Sequence, residues 1–167
     1  MEFGKEQLNG ALTLLAERLE VAKCRPVHMV VSGGSALLAR DIVSRHTHDV
    51  DVLAMRGEID GELMPAWPLP EYAKKYAGFI ATTKHLDPDW LRSTTSLVMN
   101  GLYNFPREVW AGLVTEEFGP SLKVTFMGRI GLIYLKSMAR VSRDEPRDLS
   151  GMEALAPTAP EMERVAR

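Results

Sequence analysis

Two aspartates separated by one valine, Asp49-Val50-Asp51, are the residues whose type and spacing point most directly to chemistry. They open a run, Val50 to Met55, with strand composition. Side chains alternate along a strand, so Asp49 and Asp51 share one face while Val50 and Val52 turn to the core. Like charges held that close raise each other's pKa unless a cation neutralises them. A Mg2+ or Mn2+ ion bridging the pair and a nucleoside triphosphate (NTP) is the economical functional explanation. Phosphoryl transfer uses this arrangement because the cation offsets the triphosphate charge and orients the attacking and leaving oxygens. Upstream stands Gly33-Gly34-Ser35. Glycines between a strand and a helix permit unusual backbone angles and let a phosphate approach the amides of the turn, and Ser35 can add a hydroxyl.

The elements that must position these residues follow from periodicity. Leu8, Ala11, Leu12, Leu15, Leu19 and Ala22 recur at helical spacing from Lys5 to about Lys23, a helix that Arg25-Pro26 ends. Val27 to Ser32 reads as a short buried strand running into the glycine pair, and Ser35 to Arg45 as a helix. Residues 56 to 69 carry the glycines and prolines of a loop, and Pro70 starts a helix through about Thr82. From His85 to Gly119 turn signals interrupt short pieces with no clear period. Ser121 to Met127 alternates as a strand and Gly128 to Val141 is helical. Asp148 to Leu155 makes another short helix, and Thr158 with Glu161 has capping-box spacing before a closing helix. No internal repeat or linker divides the chain, which reads as one α/β domain over residues 1–167.

Gly34-Ser35 followed by Asp49-Val50-Asp51-Val52 resembles the signature of the nucleotidyltransferase superfamily. The run SGGSALLA, with Arg45, Thr47, Asp49 and Asp51 after it, looks like a compact bacterial group. That group includes the nucleotidyltransferase toxins of abortive-infection type toxin-antitoxin pairs and uncharacterised relatives. GRIGLIYLKSMARV, PRDLSGMEALAPT and EMERVAR look like the group's lysine-bearing helix, short R-D-L helix and closing helix. The resemblance implies a mixed β-sheet flanked by helices, with a helical C-terminal part from about residue 128. It implies Asp49 and Asp51 as catalytic metal ligands for Mg2+ or Mn2+, and Gly33, Gly34 and Ser35 as holders of the triphosphate. Lys136 would contact a phosphate or the nucleotide, and Arg45 and Thr47 would flank the opening. The implied reaction moves a nucleoside monophosphate onto a hydroxyl of RNA, protein or a small molecule. An antitoxin or other protein partner is also implied.

The sequence departs from the superfamily pattern where a third carboxylate is sought: the strand SLKVTFM offers Lys123 and Thr125. Gly131 and Gly151 stand at two further positions that are often acidic in relatives. A catalytically inactive fold serving as a binding or toxin-antitoxin partner module therefore stays open beside the enzyme, as does an unrelated α/β domain whose acid pair holds a structural cation. Other candidates have ordinary readings. His46 and His48 sit in a connecting loop where histidines are usually solvated, and His28 reads as a satisfied core or surface histidine. Asp87 and Asp89 suit a turn that uses aspartate on its own backbone. Either that pair or Glu116 and Glu117 would be the alternative source of a third carboxylate. Arg129, Lys136 and Arg140 form either a phosphate-facing stripe or the wet side of a helix. Trp90, Tyr103 and Trp110 are more often packing residues than base-stacking ones.

The bulk properties narrow the classes. The 167 residues are 46% apolar and 25% charged with a formal net charge of −2, the balance of a globular chain with no global field for nucleic acid. A lone Cys24 excludes an intramolecular disulfide and suits a reducing cytoplasm. No stretch approaches the roughly 18 to 20 apolar residues of a membrane span.

Overall fold

A computed structural model describes residues 4–44, 46–58, 60–93, 105–142 and 146–166. The first helix, α1 (Lys5–Val21), buries Leu8, Leu12, Leu15 and Leu19, the stripe expected from its spacing. Strand β1 (Val27–Ser32) leads directly into α2 (Gly33–Ala39). That helix is shorter than its periodicity predicts. Asp41 takes a left-handed backbone (φ 57), the Asp41 amide donates to the Leu38 carbonyl, and the Ile42 amide donates to that of Leu37. This paired closure ends a helix wherever a residue tolerates the left-handed region, which aspartate does better than most.

Strand β2 (Val50–Arg56) is followed by β3 (Leu63–Pro65), a short strand inside the expected loop, and by α3 (Glu71–Lys84). Next come β4 (Leu91–Ser93), a 3-10 turn (Arg107–Trp110), β5 (Val114–Gly119) and β6 (Leu122–Phe126). Three helices close the chain: α4 (Arg129–Ser142), α5 (Pro146–Leu155) and α6 (Ala159–Ala166). The sheet is mixed, in the order β3-β2-β1-β6-β5, with β4 also on β2. Strands β1 and β6 are parallel, as are β2 and β4, while β1-β2, β2-β3 and β5-β6 are antiparallel. Both β3 and β4 use the edge of β2 away from β1: β3 pairs residues 54–56 and β4 pairs residues 50–52. The fold is the α/β class, with a mixed sheet and C-terminal helices, that the sequence predicts.

The register between β1 and β2 decides where the acids point. Val30 lies opposite Ala54 but Val31 lies opposite Val52, so Leu53 is an extra residue in β2. Such a bulge resets the alternation of side chains. It lets Val50 and Val52 join Val31 in the fully buried layer and puts Asp51 opposite Ser32, facing away from that layer. The apolar layer is built by Val27, Met29, Val31, Leu122, Val124 and Phe126, all at most 2% exposed, with the α1 leucines in the same core.

At the C-terminal end, Thr158 and Glu161 form the predicted capping box. The Glu161 carboxylate accepts from the Thr158 amide at 2.8 Å, and the Thr158 hydroxyl accepts from the Glu161 amide at 3.4 Å. The same carboxylate receives Arg129 through Nε at 2.7 Å and Nη2 at 3.2 Å. Arg129, one member of the basic stripe, thus clamps α6 onto the start of α4. Its hydrogen bonds, foremost that from Arg129, pull the Glu161 carboxyl down to about 2. Among the described residues, no helix is long and apolar enough to cross a membrane.

Candidate functional site

Asp49 and Asp51 lie at the N-terminal end of β2, with side chains 18% and 21% exposed. Among the described residues, the side chain of Arg92 joins them. Arg92, on β4, donates from Nη2 to Asp49 Oδ2 and from Nε to Asp51 Oδ1, both at 2.9 Å. Arg92 is the cross-strand neighbour of Asp51 in the parallel β2-β4 pair. It lies two residues past Trp90, which is fully buried and donates from its indole Nε1 to the Ala77 carbonyl at 2.9 Å. That anchor fixes the backbone from which Arg92 extends, and it settles Trp90 as a packing residue. Burial alone pulls the Arg92 guanidinium toward its neutral form. The charge and hydrogen bond of Asp51, followed by the charges of Asp49 and Asp89, outweigh that and hold its pKa above the ordinary arginine value.

The glycine turn closes on Asp51. Gly33 has φ +72, in the left-handed region, and a Cβ on it would stand 2.6 Å from Asp51 Oδ2. The turn can therefore approach the carboxylate only as glycine. A Cβ on Gly34 would stand 3.0 Å from Thr47 Oγ1, so Thr47 covers the next residue of the turn while its hydroxyl donates to the Asp49 carbonyl at 3.3 Å. The structure thus brings Gly33 beside Asp51, Gly34 beside Thr47, Thr47 onto the Asp49 carbonyl and both acids onto Arg92. Ser35 is different. It is fully buried and donates to the Ser32 carbonyl at 3.2 Å, so its hydroxyl shapes the turn and leaves Gly33 as the turn residue beside Asp51. Arg45 and Tyr103 lie outside the described residues. Lys136 is on α4, its methylene arm laid over Gly151 of α5, where a Cβ would come within 2.8 Å of Lys136 Cε.

The third carboxylate sought on Ser121 to Met127 does not adjoin the pair, for a topological reason. Strand β6 neighbours β1 and β5, so Lys123 and Thr125 are separated from β2 by a whole strand. Lys123 pairs with Glu117 at 2.9 Å, and Thr125 Oγ1 lies 2.7 Å from both His28 Nε2 and Thr115 Oγ1. His28 is therefore a satisfied histidine. Burial, and then the charges of Arg56 and Lys123, lower its pKa. Asp87 accepts from the Asp89 amide at 3.0 Å, the self-contained turn expected of it. Gly131 could not be acidic here, because a Cβ would come within 2.4 Å of the Val109 carbonyl oxygen where α4 crosses the 3-10 turn. Among the described residues, no group of three or more histidine, cysteine or carboxylate side chains forms a metal cluster.

Two carboxylates nevertheless fit one divalent ion. Mg2+ is commonly held by one or two carboxylates, the remaining positions going to phosphate oxygens and water. The pair offers carboxylate oxygens of two side chains within reach of one guanidinium, the donor set such an ion takes. Sequence reasoning missed Arg92, whose only signal is its place after a buried tryptophan in a run too short to show a period. Compared with known protein families, curated proteins and solved structures, the chain has no match.

Proposed function

We propose that the chain is a nucleotidyltransferase-like protein that binds a nucleoside triphosphate together with a divalent cation at Asp49 and Asp51. It transfers the nucleoside monophosphate to a hydroxyl on RNA, protein or a small molecule. The observation that carries this reading is a pair of carboxylates, joined by Arg92, of which Asp51 lies against a strand-glycine-helix turn at Gly33. Mg2+ or Mn2+ held by the pair would offset charge on the triphosphate. Gly33 lies beside Asp51, where the backbone of the turn would receive phosphate oxygens, and Thr47 holds the Asp49 backbone in place. In the transfer, the acceptor oxygen bonds to the α-phosphorus and the bond to the β-phosphate breaks. Pyrophosphate leaves with that electron pair, and the hydroxyl proton is lost to solvent.

A second reading is favoured by one specific observation, an arginine rather than a carboxylate beside Asp51 on the neighbouring strand. In that reading the fold binds nucleotide, or a protein partner such as an antitoxin, without transfer. Calorimetric titration of each of the four nucleoside triphosphates with Mg2+ separates the outcomes. Binding by wild type that is lost in the Asp49→Asn, Asp51→Asn double variant supports the site. Transfer of label from an α-32P nucleotide to an acceptor then selects the enzyme over the binding module. Absence of binding by wild type would sink both nucleotide readings.

A further inference from the structure

We propose that Arg92 is a built-in counter-ion that the Asp49–Asp51 pair exchanges for a divalent cation carrying a nucleoside triphosphate, the freed guanidinium then binding the triphosphate. This inference rests on the nucleotide reading of the site and adds to it a mode of regulation: the chain holds its own site closed to free cations. One guanidinium takes an oxygen from each acid at 2.9 Å, so a cation that needs both carboxylates has to remove it. Removal is feasible because the Arg92 side chain is 52% exposed, and solvated ion pairs of this kind are weak. The backbone stays put during the exchange, since Trp90 pins the start of β4 through its bond to the Ala77 carbonyl. Arg92 therefore swings about a fixed Cα within reach of whatever the acids hold. Its planar fork suits phosphate oxygens as well as carboxylates.

The exchange makes cation and nucleotide cooperative. A free cation has to displace Arg92 with nothing for the guanidinium to bind in return, whereas a cation arriving with a triphosphate brings the anion that accepts it. The two ligands thus strengthen each other's binding through one side chain, and the coupling is reciprocal.

The test titrates Mn2+ alone, followed by electron paramagnetic resonance of the free ion, into wild type, Arg92→Gln and Arg92→Lys. The titrations are then repeated with each of the four nucleoside triphosphates present. Arg92→Gln is expected to bind Mn2+ about tenfold more tightly than wild type, the scale of one partly exposed charge-assisted bridge removed. The gain in Mn2+ affinity that a triphosphate gives wild type should shrink in the same variant. Arg92→Lys keeps one positive charge but cannot bridge both acids at once. It should fall between the two, and it keeps the test decisive should Arg92→Gln not fold. Mn2+ affinity in both variants no greater than in wild type overturns the counter-ion proposal and leaves the nucleotide reading standing. No Mn2+ binding by any of the three proteins overturns both, as does Mn2+ binding that survives Asp49→Asn with Asp51→Asn.

Discussion

Gly33→Ala tests the geometry of the site without presupposing any ligand. At φ +72 an alanine costs about 1–2 kcal/mol, since its Cβ crowds the following carbonyl in the left-handed region. The added methyl also lands 2.6 Å from Asp51 Oδ2, well inside contact distance, so the Asp51 carboxylate must rotate away. Rotation breaks its bond to Arg92 Nε, which, discounted for a guanidinium half in solvent, adds about 1 kcal/mol. The sum is about 2–3 kcal/mol, or a fall in Tm of about 4–12 °C for a chain of this size. Thermal and urea unfolding of wild type, Gly33→Ala, Asp51→Ala and the double variant make a thermodynamic cycle. With the Asp51 carboxylate gone, only the backbone term of about 1–2 kcal/mol remains, so the two substitutions should couple by about 1 kcal/mol. Equal costs of Gly33→Ala in both backgrounds would refute the contact between turn and acid, and a negligible cost in either would refute the left-handed turn itself.

Three other outcomes follow from particular contacts. Trp90→Phe removes the indole donor to the Ala77 carbonyl and some buried volume, and should lower stability by about 1–3 kcal/mol in urea unfolding; an unchanged midpoint would mean that β4 is not anchored there. Glu161, held down at about 2 against an ordinary 4.5, contributes stability that is fully present above pH 4.5 and lost as pH falls toward 2. Glu161→Gln should abolish that acid dependence in the amide exchange of α6, and an identical pH profile in the variant would refute the clamp. His28 titrates in the folded protein below its ordinary 6.5, so the unfolded chain binds the additional proton and stability declines as pH drops through that value. Denaturant midpoints measured on both sides of pH 6.5 should converge in His28→Gln, and a steeper acid decline in that variant would reverse the assignment.

The sequence was legible where a regular period ran for several turns or where a motif had a mechanical reason. The leucine stripe of α1, the alternation of β6 and the Thr158–Glu161 capping box all rest on short-range rules, and each is present as expected. The boundary of α2 was misread because Ile42 and Val43 extend its apolar spacing, whereas Asp41 ends it through a left-handed closure that periodicity does not register. Strand β5 and the three-residue strands β3 and β4 were missed because each takes its place from partners far along the chain. The common face of Asp49 and Asp51 was legible from alternation, yet its relation to the rest of β2 depends on the bulge at Leu53, which only pairing with β1 reveals. Arg92 was invisible for the same reason as β4: its meaning lies in the cross-strand position of Asp51, and no local pattern connects residue 92 to residue 51.

Arg92 also changes what the acid pair by itself demands. Two adjacent carboxylates need a positive charge, but the need does not specify its source, and here the chain supplies one from β4. Arg92 offsets one of the two carboxylate charges and so holds a neutralising group at the pair in the absence of an ion. A carboxylate at position 92 would instead place a third acid beside Asp51 at the end of two strands. On the proposed exchange, the arginine neutralises the pair when no ion is bound: a bare cation would have to displace an ion pair, whereas a cation bound to a triphosphate would offer Arg92 a new anionic partner in the same step. Under the exchange proposed above, position 92 rather than the presence of the acids would set the discrimination between free ion and nucleotide complex.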